Sequence, residues 1–187
     1  EQSVSDFELI VVNDGSTDRT LERLTEAFDL LPASRIPTAD LPTASIRGMY
    51  QARRRQNIYV VDKEQGGKAD ALNAGINLSR YPLFCTIDAD AMFQDNALLR
   101  AVRPFLEDPD RVIAVGGQVR VVNGCRVVRG RVVEPRLPQS ILAAFQVVEY
   151  LRAFVGSRLG LSAMNNLLIL SGVFSLFRKD VIIEVGG

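Results

Sequence analysis

Asp88 and Asp90 stand two residues apart, directly behind the apolar run Leu83 to Ile87. On an extended backbone, residues i and i+2 project to the same side. Two carboxylates side by side repel each other unless a cation lies with them. The sequence has no His, and its two cysteines, Cys85 and Cys125, are too few for a zinc site. A cation held here is therefore hard and oxygen-loving, Mg²⁺ or Mn²⁺, and such ions leave positions that phosphate oxygens fill. A diphosphate leaving group needs this neutralisation as its bond to a sugar breaks. A bare Asp-x-Asp is common and by itself more often ends a strand than binds a metal. Its weight comes from its place behind an apolar strand, matched by two other polar strand ends.

Those ends are Asn13-Asp14-Gly15, behind FELIVV, and the Gly66-Gly67-Lys68 loop. The Asp14 carboxylate can accept a hydrogen bond from a nucleobase N–H, and Gly15 lets backbone approach closely. The same segment also reads as a helix-starting turn; Asp18 suffices as its cap and leaves Asp14 free. At Gly66-Gly67, a helix start exposes backbone N–H groups, and Lys68 adds a point charge for phosphate. Taken alone, that segment is equally a plain helix start. Neither the Walker spacing nor a Gly-x-Gly-x-x-Gly fingerprint is present. Without His, Ser-His-Asp and Cys-His catalysis are excluded.

An α/β chain brings such groups to the carboxyl edge of its sheet, where ligands of these folds bind. Strands are expected at Phe7 to Val12, Ile58 to Val61, Leu83 to Ile87, Val112 to Val122 (with a bulge at Gly116-Gly117) and Leu167 to Phe177. Helices are expected to Phe28 behind the first strand, with Leu21, Leu24 and Phe28 on one face. Others follow over Ala69 to Leu78, Asn96 to Leu106 and Gln139 to Phe154. Residues 29 to 56, with Pro32, Pro37, Pro42 and the Arg53-Arg54-Arg55 run, read as a surface insertion whose arginines are solvated. Residues 123 to 138 read as a hairpin or loop. In the last long helix, Leu142, Phe145, Val148 and Leu151 read as core, with an interfacial helix against a membrane as the alternative.

The 187 residues suit one domain, and 47% hydrophobic content supports a substantial core. Lys plus Arg and Asp plus Glu both number 22, so no basic field attracts nucleic acid. Two cysteines fit a reducing compartment, with Cys85 in the core. No secretory signal and no apolar run of about 20 residues is present. The chain enters almost directly into a strand and ends at Gly186-Gly187, and reads as an internal piece of a longer protein.

FELIVVNDGSTDRT, GGKADALNAGIN, LFCTIDADAMF and SGVFSLFRKDVIIEVGG, in this order, resemble the family 2 glycosyltransferases. The stretch from Phe145 to Arg178 resembles the membrane-associated branch with cellulose, chitin and hyaluronan synthases. The resemblance implies a truncated GT-A fold with a mostly parallel central sheet flanked by helices. It implies one partial catalytic domain, residues 1–122 forming the nucleotide-sugar half and 123–187 an incomplete acceptor-side half. Implied too are a nucleotide-diphosphate-sugar donor, usually UDP-linked, a saccharide or lipid acceptor, Mg²⁺ or Mn²⁺, and inversion at the anomeric carbon. Carried over by motif, Asp14 meets the base or ribose, Lys68 the diphosphate, and Asp88 the ribose and donor sugar. Asp90 coordinates the metal, and Ser171 and Gly172 line the acceptor side. The family's first strand should precede residue 1 and its Glu-Asp base follow Gly187, so the fragment is expected to be soluble and to bind donor without turnover. The parent protein is expected to be membrane-embedded, with this domain on the cytoplasmic face. The rival readings are a sugar-1-phosphate nucleotidyltransferase, whose Gly-rich activation loop is not visible, and a non-catalytic module that inherited the fold. An Asp-x-Asp phosphatase lacks its Gly-Thr here.

Overall fold

The computed structural model describes residues 6–164 and 169–187. In chain order the elements begin with β1 (Leu9–Asp14), α1 (Thr20–Phe28), β2 (Leu30–Pro32), β3 (Ile46–Ala52), β4 (Ile58–Lys63), α2 (Lys68–Leu78) and β5 (Leu83–Ile87). There follow α3 (Ala97–Glu107), β6 (Ala114–Gly116), β7 (Arg126–Val128), β8 (Arg131–Glu134), α4 (Ile141–Leu151), α5 (Leu159–Ala163), β9 (Phe174–Arg178) and α6 (Lys179–Val185). Residues Arg152–Arg158, between α4 and α5, are π-helical. The chain forms two compact units. One comprises residues 6–84 with Phe177–Gly187, the other Cys85–Leu176.

The first unit is built on a four-stranded sheet in the order β1-β4-β3-β2. β1 and β4 run parallel, while β3 is antiparallel to both β4 and β2. The sheet is therefore mixed, and the expectation of a mostly parallel sheet does not describe it. The reason lies in residues 29–56, which are not a surface insertion throughout. Their prolines mark bends, but Ile46–Ala52 pairs along β4, and Pro32 ends the edge strand β2, where a missing N–H is tolerated. Arg53, Arg54 and Arg55 are exposed, as expected.

Leu30, Ala52, Ile58 and Val60 form the core of this unit, and Leu21, Leu24 and Phe28 of α1 pack on it as their spacing requires. Asp18 Oδ1 accepts from the Thr20 N–H (3.0 Å) and hydroxyl (2.5 Å) and so satisfies an orphan donor at the start of α1. The segment before β3 is fastened by polar side chains of α2. Asn77 is buried, donating to Leu41 O (2.8 Å) and accepting from Leu41 N (3.0 Å). Asn73 donates to Pro42 O (3.1 Å), and Asp70 Oδ2 accepts from Ala44 N (2.8 Å). Spacings of three and four residues place all three on one helix face. A buried Arg35–Glu8 pair (2.6 Å), with Arg35 4.7 Å above the Tyr59 ring, anchors the same segment.

In the second unit β7 and β8 form a hairpin whose turn, Arg129-Gly130, has both φ values positive, as a two-residue hairpin turn demands. A three-stranded sheet has the order β5-β9-β6. The strand expected over Val112 to Val122 is confined to Ala114–Gly116. Gly117 donates to Phe174 O (3.0 Å), and a Cβ there would lie 2.1 Å from the Phe174 ring, so close packing replaces the expected bulge. Of the strand expected over Leu167 to Phe177, residues 167 and 168 lie outside the described residues, and β9 begins at Phe174.

The core reading of α4 does not hold. Leu142, Phe145, Val148 and Leu151 are all exposed, Leu142 at 80%. Apolar spacing reports that a helix has an apolar face, not what covers it. Among the described residues no helix is long and apolar enough to cross a membrane.

Candidate functional site

The parallel register of β1 and β4 sets Asn13 beside Asp62 and Asp14 beside Lys63. Asn13 and Asp62 are joined by a buried hydrogen bond (2.7 Å). On the opposite face Lys63, wholly buried, donates to Asp14 Oδ1 (2.6 Å) and Glu64 O (2.6 Å) and pairs with Asp70. Asp14 Oδ1 also accepts from Gly66 N (2.9 Å), and Oδ2 from Gly67 N (2.7 Å). Gly15 allows this closeness. Its φ is +70°, and a Cβ there would lie 2.7 Å from Gln65 N.

The structure thus brings Asp14 to the Gly66-Gly67 turn that opens α2 at Lys68, which is exposed. The N-cap position of α1 falls to Arg19, with Asp18 beside it taking up the Thr20 N–H, and Asp14 is not left free. Two oxygens carry about four acceptor positions, and three are used, so Oδ2 keeps capacity for one further N–H. The hydrogen bond from Lys63 lowers the Asp14 pKa against the opposing effect of burial, and the Gly66 and Gly67 N–H groups add to it. Burial pulls the Lys63 ammonium down, but hydrogen bonds and charge from Asp14 and Asp70 outweigh it, leaving its pKa raised.

Lys63 lies two residues beyond the expected end of its strand at Val61, and sequence reading gives it no role. The signal was the continuation of the Ile58 to Val61 run into Asp62 and Lys63, both buried within β4.

Asp88 and Asp90 follow β5 in the second unit, Asp88 half-buried and Asp90 exposed. Ala91 N bonds to Asp88 O (3.0 Å), so the chain turns here, and the same-side projection of an extended strand does not apply. Among the described residues no three His, Cys, Asp or Glu side chains are grouped to hold a metal. A dication at this turn would take one or two carboxylates and complete its shell with water or ligand oxygens. That donor set fits Mg²⁺ or Mn²⁺.

Ser171 lines a cavity of about 240 Å³ with Val119, Glu149, Tyr150, Phe154 and Arg158; neither Asp88 nor Asp90 lines it. Ser171 accepts from the Ser175 hydroxyl through its carbonyl (2.6 Å) and from Val173 N through its own hydroxyl (3.3 Å). Gly172 follows it in an exposed turn. Arg158 lies over the Phe154 ring at 4.2 Å, Tyr150 meets that ring at a steep angle, and Phe154 is buried.

Residues 40–186 match the family model described as Glycosyl transferase family 2. The chain is 27% identical over 180 residues to the poly-beta-1,6-N-acetyl-D-glucosamine synthase of Staphylococcus aureus (strain COL), covering 96% of this chain and 34% of that protein. To the synthase of the same name from Staphylococcus epidermidis it is 28% identical over 180 residues, with the same coverage. The chain spans about a third of the length of these curated relatives.

Proposed function

The chain belongs to glycosyl transferase family 2, and from that membership we propose that it serves the inverting transfer of a sugar from a nucleotide-diphosphate-sugar, UDP-linked, to a saccharide or lipid acceptor. The family match across residues 40–186 is the observation that carries this reading. The relatives' name makes N-acetylglucosamine the first donor sugar to try.

Asp14 recognises the nucleobase or ribose through the acceptor capacity left on Oδ2. Lys68, at the exposed start of α2, meets the diphosphate with a point charge reinforced by the helix N-terminus. Asp88 contacts the ribose and donor sugar, and Asp90 holds the dication. The ion, when bound, neutralises charge building on the departing diphosphate. Ser171 and Gly172 serve the acceptor, and the cavity beside Ser171 supports that role. Residues 1–122 carry donor binding and 123–187 the acceptor side. The reading extends to a membrane-embedded parent with this domain on the cytoplasmic face.

Calorimetry with UDP, with and without Mn²⁺, tests it. Binding should tighten with Mn²⁺, and Asp90→Ala should abolish that gain. Equal affinity with and without metal, or an undiminished gain in Asp90→Ala, rules out the assigned metal role.

A further inference from the structure

A wholly buried lysine at a strand end is costly, because an apolar side chain of similar length would fill the space without desolvating a charge. Lys63 nonetheless sits there, joined to Asp14, to Asp70 and to the Glu64 carbonyl. Its partners belong to three places that must agree for a ligand to be met at Asp14: the end of β1, the first turn of α2 and the loop between β4 and α2. Gly66 and Gly67 donate to the very carboxylate that Lys63 grips.

We propose that Lys63 is a positioning residue for the nucleotide. Its ammonium fixes the Asp14 carboxylate and, through it, the Gly66-Gly67 turn, so that Oδ2 faces the incoming N–H already oriented. This rests on the reading that Asp14 binds the nucleotide. Lys63 has no exposed surface and acts only through its neighbours.

The test is a double-mutant cycle on UDP affinity in Mn²⁺, using Lys63→Met, Asp14→Ala and the two together, each first checked for a cooperative thermal melt. Each single change should weaken UDP about tenfold, and the pair should bind no more than about threefold worse than the weaker single. The pH below which UDP affinity falls should also move upward in Lys63→Met. The charged groups around Asp14 are Lys63 on β4 and, behind it, Asp70 on α2, so Lys63→Met strips away the cation that favours the ionised carboxyl. A purely structural lysine would shift the melt and leave that pH in place.

If Lys63→Met alone does not melt cooperatively, the cycle is run in an Asp70→Asn background, where the ammonium and one counter-charge leave together. Unchanged UDP affinity in folded Lys63→Met, or losses that simply add, overturns the positioning role while Asp14→Ala still shows weakened binding. Unchanged affinity in Asp14→Ala instead overturns the nucleotide reading of Asp14, and the inference with it.

Discussion

Gly15 is held at φ +70° against Gln65 N, so Gly15→Ala combines backbone strain with a clash. We expect it to cost roughly 1–3 kcal/mol in urea unfolding. Asp14 and Lys63 make stability depend on pH at both ends. A carboxyl with a lowered folded pKa contributes above its ordinary value, 3.8 for Asp14, and loses that contribution as pH falls through the folded value. An ammonium with a raised pKa contributes fully below its ordinary value, 10.5 for Lys63, and loses it as pH rises through the folded value. Thermal melts should therefore show this pair's contribution flat between 3.8 and 10.5, and Lys63→Met should remove the alkaline flank and shrink the acid one, which the Gly66 and Gly67 N–H groups also sustain. Burial raises the Cys85 thiol to about 12, against a weaker opposing Ser175 backbone hydrogen bond. Only about one thiol in ten thousand is then ionised at pH 8, so iodoacetamide should leave Cys85 unmodified until the chain unfolds. Asp14, Gly15 and the turn before Lys68 were legible because short polar motifs follow apolar strands. Lys63 was not, since no local rule buries a lysine; its burial follows from a parallel register that only the tertiary pairing fixes.

At the level of elements, α2 and α3 fall within one residue of their expected spans and α1 ends at Phe28 as expected, because apolar spacing and turn residues agree there. β3 escaped notice because Pro37 and Pro42 precede it and its alternation is weak. The exposed face of α4 gives a direct check. Phe145→Ser should change unfolding free energy by no more than about 0.5 kcal/mol, whereas Phe105→Ala, on the buried side of α3, should cost about 3–5 kcal/mol. Parity of the two would mean that α4 is covered in solution. Asn77→Ala leaves both Leu41 backbone groups without their partner and should cost about 1–3 kcal/mol by the same measurement.

Across the whole molecule, the α/β class and the family were readable from four motifs in order. The mixed sheet was not, because strand direction depends on which distant segment pairs with β4. The absence of a net charge says little about individual places. Around Lys63, two carboxylates share one ammonium, an excess of one negative charge beside the amides of Gly66 and Gly67. Those amides already serve Asp14. An anion at Asp14 itself would meet repulsion and find those two donors taken, so the proposed diphosphate contact falls to the Lys68 side chain rather than to these amides. A neutral ring offering an N–H would meet a waiting lone pair on Oδ2, which on the proposed reading sets the base end of the nucleotide at Asp14 and its phosphate end at Lys68.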